Sequence, residues 1–470
     1  MEILFKISLL YLCLQATVCS EITYKAGIAS GDIRNGVKDY VSQINRAAKQ
    51  NADIVLLSSN VTDPDTLTHS KCDSSNYDQL LRDISGLAKT SGVYIVTHLY
   101  EKVRCQNGEE LVRNNIAFDR QGSLVAINSK PVSSVTRCNG TTSKMAALTT
   151  DFGVKFLILA EEDILLQDLN SLGAKNLIVT GGSYAESDYL RGSRISQSLA
   201  YALEANVISE HGIYSSKSGL ITNNGLVTEI NKNREGRSNN IYFLPITEPE
   251  LPDEELGQNT MVPLDLEMSV NGLKKSVCHD GFCCEFYVKT SLDNSVEGIQ
   301  YEMSVFMGYR QIGEMSIGVQ TCEIVACRET SRRSCLLQLQ NNNSVTFEKL
   351  SIKGNFTRQH SFQLPVILTT QTSMSSDSFK FLTKTVNDVR EVSMELSNVK
   401  NIFKFGILGR DYTKDYVDNF NSNHTNVKSH DVVDFYEYIF NDDVIDFFDY
   451  LWIRIRVLLL IVSLYILEMM

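Results

Sequence analysis

Six cysteines crowd into one short stretch of the chain, at Cys278, Cys283, Cys284, Cys322, Cys327 and Cys335. Cross-links this dense constrain a fold more than hydropathy does, because each closed loop removes conformations from the unfolded ensemble. None of the six shows the C-x2-C spacing of a zinc ribbon, so they read as a disulfide framework made in an oxidising compartment. The amino terminus implies the same compartment. Lys6, the apolar stretch ISLLYLCLQATV and the ending VCS make residues 1–20 a secretory signal, with cleavage expected after Ser20. Of the eleven cysteines, Cys13 and Cys19 fall in that signal, which leaves Cys72, Cys105 and Cys138 beside the six. An odd total leaves at least one thiol without an intrachain partner, and Cys138 is the least constrained candidate.

Residues 21–231 alternate strand-like and helix-like segments, the pattern of a layered α/β domain. Strand candidates such as ITYKAGIA, DIVLLSS, VYIVTHL, SLVAIN, VKFLILA, NLIVTG and ANVISEH are short and rich in Val and Ile. Between the first two, Val37, Tyr40, Val41, Ile44, Ala47 and Ala48 follow helical spacing, and Leu80, Leu81, Ile84, Leu87 and Ala88 repeat it. Both stripes predict core. Residues 232–258 form a polar, Pro- and Glu-containing linker. Residues 259–413 then change to short strands with cysteines, an all-β domain. An acidic stalk at 414–450 and a hydrophobic tail at 451–470 follow. The run VLLLIVSLYIL is short for a membrane helix and fits a signal exchanged for a GPI lipid, with Asn441 or Asp442 as attachment candidates. A short true span and a soluble tail are the alternatives. The expected partner is thus the membrane, at the outer cell surface. Sequons at Asn60, Asn139, Asn342, Asn355 and Asn423 are glycosylation candidates. A net charge of −12, with no basic patch outside the tail, argues against nucleic acid.

The spacing C-x4-C-C followed by C-x4-C-x7-C, with FEKLSIKGNF, FQLPVIL and FGILGRDYTKD downstream, resembles the carboxy-terminal domain of the vanin and biotinidase branch of the carbon-nitrogen hydrolases. LRDISGLAKTSGVYIVTHLYEK, IAFDRQGSLVA, LGAKNLIV and YALEANVISEHGIY extend the resemblance through the first domain, and Cys72 and Cys105 stand where that family has cysteines. The resemblance implies an α/β fold, a nitrilase-type αββα sandwich, followed by a disulfide-rich all-β domain. It implies no cofactor and no metal.

That family hydrolyses amides with a cysteine nucleophile, a glutamate that moves protons and a lysine that steadies the oxyanion. The glutamate is implied at the end of ADIVLLSSN, where this chain has Ser58 and then Ser59 at the glutamate position; a hydroxyl has no useful basicity near neutral pH. Lys130 stands at the lysine position; alone it reads as a solvated charge. The nucleophile position falls on Ala160 if aligned from FG, or on Glu161 if aligned back from DIL, and no cysteine occurs between 139 and 277. Glu161, Glu162 and Asp163 read as acids decorating a helix start, with paired-carboxylate chemistry or cation binding as alternatives. The seven histidines show no metal-like spacing. The expectation is a degenerate hydrolase site in a surface glycoprotein used for binding; an amidohydrolase with a rearranged site and a purely structural coat protein are the alternatives.

Overall fold

The computed structural model describes residues 23–59, 74–106, 108–131, 145–169, 173, 175–181, 193–210, 212–215, 219–222, 228–231, 240–242, 259–292, 300–312, 315–327, 335, 345–369, 373–375, 379–386, 389–400 and 402–417. Cys72, Cys138, Asn60, Asn139, Asn342, Asn423, Asn441 and Asp442 lie outside the described residues, as do the stalk beyond Val417 and the tail.

The amino-terminal lobe is two six-stranded sheets. Its strands are β1 (Thr23–Gly31), β2 (Ile54–Ser59), β3 (Tyr94–Cys105), β4 (Gly108–Phe118), β5 (Leu124–Pro131), β6 (Ala146–Thr149), β7 (Lys155–Ala160), β8 (Asn176–Thr180), β9 (Asn206–Ser209), β10 (Gly212–Ser215), β11 (Gly219–Thr222) and β12 (Thr228–Asn231). The sheet orders are β12-β1-β2-β3-β4-β5 and β11-β10-β9-β8-β7-β6. Within each, three central strands run parallel, β1-β2-β3 and β7-β8-β9, and the flanking strands are antiparallel. Parallel neighbours need crossovers, which α1 (Lys38–Lys49) supplies between β1 and β2 and α2 (Ser74–Ser91) between β2 and β3; α3 (Ser193–Leu203) links β8 to β9.

Alternation along each strand sorts side chains between layers. On β2, Ile54 and Leu56 face the second sheet beside Tyr94, Val96, Phe156, Ile158, Ile178 and Ile208, while Val55 and Leu57 face the helices with Tyr40, Ile44 and Ile84. Burial on both faces explains the unbroken apolar runs. Val41 departs from its predicted place: at 37% exposure it lies off the α1 stripe, whose contact is carried by Tyr40, Ile44 and Ala47.

The carboxy-terminal lobe adds β13 (Asn240–Tyr242), β14 (Thr260–Pro263), β15 (Leu273–His279), β16 (Phe282–Leu292), β17 (Gln300–Ile312), β18 (Met315–Cys327), β19 (Val345–Phe356), β20 (Ser361–Thr369), β21 (Ser373–Ser375), β22 (Phe379–Val386), β23 (Val389–Leu396), β24 (Val399–Lys400) and β25 (Ile402–Val417), with one helical turn, α4 (Leu266–Ser269). Its two sheets run β14-β17-β18-β25-β20 and β15-β16-β19-β23-β22, with β24 on β19, while β13 pairs with β21. One apolar core that includes Phe286, Met303, Ile324, Phe347, Met394 and Phe405 fills the space between them. Cys284–Cys322 ties one sheet to the other, Cys278–Cys283 bridges the β15–β16 hairpin, and Cys327–Cys335 closes the end of β18. Cys105 is also disulfide-bonded.

The two lobes grip one another. Tyr201 of α3 packs edge-on to Phe379, their ring centroids 5.4 Å apart. Fully buried Arg410 of β25 donates from Nε to the carbonyl of Leu165 at 2.6 Å, and the Tyr412 hydroxyl donates to the carbonyl of Gln167 at 2.5 Å.

Loop length ranks the disulfides. Cys284–Cys322 spans 38 residues and Cys278–Cys283 spans 5, for which loop-closure entropy gives about 4 and about 2 kcal/mol. Replacing Cys284 and Cys322 together by serine is therefore expected to lower the unfolding midpoint in urea about twice as far as replacing Cys278 and Cys283. Equal losses would mean that the inter-sheet bridge does not act through loop closure.

Candidate functional site

The alternation that builds the interlayer core changes character at one end. Continuing from the last apolar inward position, β2 presents Ser58 after Ile54 and Leu56, β3 presents His98 after Tyr94 and Val96, and β8 presents Thr180 after Ile178. Glu210 follows β9 after Ile208, β7 ends in Ala160 after Ile158, and β4 and β5 bring Arg113, Asn115, Asn128 and Lys130. These strand ends meet because β1-β2-β3 and β7-β8-β9 each run parallel, which gathers their carboxy-terminal ends along one edge. Ser58, His98, Arg113, Asn115, Asn128, Thr180 and Glu210 are all buried.

Glu210 is the centre of this cluster. One carboxylate oxygen accepts the Gly181 N–H at 2.6 Å and lies 2.9 Å from His98 Nδ1; the other accepts the Ser58 hydroxyl at 3.4 Å. Burial by itself pushes a carboxyl toward its neutral form. His98, the Gly181 N–H and the Arg113 guanidinium outweigh burial and hold Glu210 below the ordinary carboxylate value. Arg113 Nη2 in turn donates to the Thr180 carbonyl at 2.7 Å, and the Thr180 hydroxyl donates to Asn115 Oδ1 at 2.6 Å. Arg113 lies so close over Gly181 that a Cβ there would fall 2.1 Å from Nη2. With φ at +89° as well, only glycine suits the position.

The sequence-predicted residues fall on the same edge with altered surroundings. Ser58 is the β2 residue that meets Glu210; the backbone of Ser59 pairs with Gly31 at the strand's end. Ala160, which with Glu161 is one of the two positions expected for the nucleophile, is 1% exposed and ends in a methyl group. Lys130 is not a solvated charge: its ammonium is ion-paired with Asp163. Nor are the acids simply surface decoration of a helix start, because Glu161 and Asp163, in a single 3-10 turn, are each 4% exposed. Their charges are drawn inward to the interlayer edge. Every described cysteine is in a disulfide, so no thiolate is available among the described residues. No group of three or more His, Cys, Asp or Glu among them is placed to hold a metal.

Sequence reading passed over Glu210, His98 and Arg113. A usable signal was present: extending the period-2 inward positions of each strand by one step reaches Ser58, His98, Thr180 and Glu210. Asn355, the one sequon among the described residues, is exposed on β19, and the Thr357 hydroxyl within it donates to Gln320 Oε1 and Asp411 Oδ2, each at 3.1 Å.

Comparison with known proteins follows both lobes. Residues 251–415 match the family described as the vanin C-terminal domain. That match lies in the carboxy-terminal lobe, and over those residues the chain is similar to vanins. Vanin-like protein 3 of Drosophila melanogaster is 28% identical over 349 residues, which span 64% of this chain and 66% of that relative, just under two thirds of its length. Vanin-like protein 2 of the same organism is 22% identical, over 87% of this chain and 93% of its own. Among solved structures, an amidase of the nitrilase superfamily from Nesterenkonia is similar at a TM-score of 0.33 and 12% identity, over 46% of this chain and 92% of that one. The chain pairs an α/β lobe of two packed six-stranded sheets with a disulfide-rich β lobe, and it is the second that matches the vanin C-terminal domain.

Two outcomes are expected from the Glu210 cluster. Because its folded pKa lies below the ordinary 4.5, Glu210 stabilises the fold above that pH, and the contribution is lost as pH falls through the folded value. Glu210→Gln should cost about 3 kcal/mol at neutral pH, as for one partner removed from a buried pair, with the gap to the parent protein narrowing as pH falls below 4.5; thermal melts across the acid range measure it. Gly181→Ala should cost about 2 kcal/mol or more through its φ and the displaced Arg113. A melt unchanged by that substitution would contradict the close approach.

Proposed function

We propose that this vanin-like chain is a secreted glycoprotein held at the outer face of the cell membrane, with a carbon-nitrogen hydrolase lobe that binds rather than hydrolyses. The observation that carries the reading is the strand-end edge itself. By the resemblance to carbon-nitrogen hydrolases the nucleophile position falls on Ala160 or Glu161 and the base position on Ser59, after Ser58, while the ammonium of Lys130 is paired with Asp163. Acyl transfer needs a nucleophile with an activating base beside it and a cation free to meet the oxyanion. Here the cation is already paired and the neighbouring carboxylate, Glu210, is committed to Gly181 and His98. A charge so fully compensated is a poor nucleophile and a poor proton acceptor.

For anchoring, the acidic spacer and apolar tail support a GPI lipid added at Asn441 or Asp442. No helix among the described residues is long and apolar enough to cross a membrane. Release of the protein from intact cells by a phosphatidylinositol-specific phospholipase is the expected result, and retention would favour a short membrane span.

The decisive assay uses the purified secreted chain, with amine release from pantetheine-like and biotinyl amides as readout. No release above buffer is expected. Ala160→Cys should not create activity either, since it supplies a thiol without a base and leaves Lys130 bound to Asp163. Release by the parent protein that disappears in Lys130→Ala would mean that the edge still hydrolyses amides with another nucleophile, and would sink the proposal.

A further inference from the structure

The three described disulfides of the carboxy-terminal lobe differ sharply in access. Cys284, Cys322, Cys327 and Cys335 are at most 1% exposed, whereas Cys278 and Cys283 are both exposed. Cys278 and Cys283 face one another directly across the β15–β16 hairpin, separated by 5 residues, the shortest of the three loops. Little depends on that link for the fold. The hairpin keeps its other rungs, from Leu273↔Val288 to Val277↔Cys284, and β16 is paired with β19 from Cys284 to Leu292. Opening the bridge therefore requires no unfolding, while opening either of the others requires exposing the core.

Cys283 also lines an open cleft of about 600 Å³, together with Asp280, Met307, Gln320, Arg358 and Val389. Its neighbours Phe282 and Phe356, ring centroids 5.1 Å apart, give the cleft an aromatic wall. A small molecule carrying a thiol can thus approach the Cys283 sulfur from a space large enough to hold the rest of it. Cys278 is not among the residues that line the cleft.

We propose that Cys278–Cys283 is a site of thiol–disulfide exchange with low-molecular-weight thiols, entered through the cleft at Cys283. An external thiolate attacks Cys283 Sγ, the S–S bond breaks, and its electron pair leaves on the Cys278 sulfur, which takes up a proton. The product is a mixed disulfide at Cys283. A second external thiolate then attacks the external sulfur of that mixed disulfide, and the Cys283 sulfur leaves and is protonated. Two external thiols are oxidised to one disulfide, and the protein disulfide is reduced to two thiols. Rates of such exchange follow access to the attacked sulfur, and exposed disulfides are the labile ones.

The test treats the folded, secreted full-length protein with reduced glutathione or dithiothreitol, traps free thiols with an alkylating reagent at intervals, and maps them by mass spectrometry while circular dichroism follows the fold. Cys278 and Cys283 should be labelled at least about tenfold faster than Cys284, Cys322, Cys327 and Cys335, with no change in the spectrum. The glutathione adduct should be found on Cys283. Labelling that begins at Cys284–Cys322 or Cys327–Cys335, or that begins only as the spectrum collapses, overturns the proposal, and an adduct on Cys278 overturns the route through the cleft. In a Cys278→Ser/Cys283→Ser variant the first labelling phase should vanish and the later ones persist. The native-protein kinetics decide the question even if that variant folds poorly.

Discussion

A carboxylate carried between two packed sheets must find its compensation in the protein, because water is not there to supply it. Glu210 is in that position, and the organisation of the amino-terminal edge follows from it. The Gly181 N–H is available because the chain turns there with φ at +89°, and that turn has to be glycine because Arg113 lies across it. His98 and Ser58 arrive from the other sheet on strands whose preceding inward residues are apolar. The same arrangement leaves Arg113 hydrogen-bonded to the Thr180 carbonyl. The two sheets are therefore joined twice: along their length by aliphatic and aromatic packing, and at the edge by charge and hydrogen bonds.

The carboxy-terminal lobe reaches the same region from outside. Arg410 is fully buried, donates to the carbonyls of Leu165 and Gly318, and is paired with Asp415. Burial raises the Asp415 carboxyl although Arg410 and the Gly318 N–H oppose it. Leu165 and Gln167 follow the Ala160–Asp163 segment almost at once, so the β lobe holds the loop that presents Asp163 to Lys130. A vanin-type β domain in this chain is thus a structural clamp on the first lobe as well as a cross-linked module of its own. The clamp bears on the neutralised lysine through covalent proximity along the chain, not through contact with it.

The sandwich keeps parallel strands that end together, the arrangement that lets several strands contribute to one site, but a scaffold does not by itself confer an activity. Its edge brings side chains together in pairs, Glu210 with His98 and Ser58, and Lys130 with Asp163. Such pairing is what burial demands of polar groups.

Much of this was legible in the chain itself. The alternation of Val- and Ile-rich runs with helical stripes specifies layered sheets, because a 2-residue and a 3.6-residue period cannot be satisfied by the same backbone. The cysteine spacing marked the second lobe, and the stretch between 139 and 277 holds no cysteine. Tertiary structure alone decided the rest. That Cys284 pairs with Cys322, rather than with its near neighbours, depends on which strands of two different sheets face each other. That Lys130 meets Asp163, and Ser58 meets Glu210 across 152 residues of sequence, depends on how the two sheets stack. Periodicity is a local property that sequence carries in full. Which charge neutralises which is fixed only when distant strand ends are brought within a few ångströms of one another.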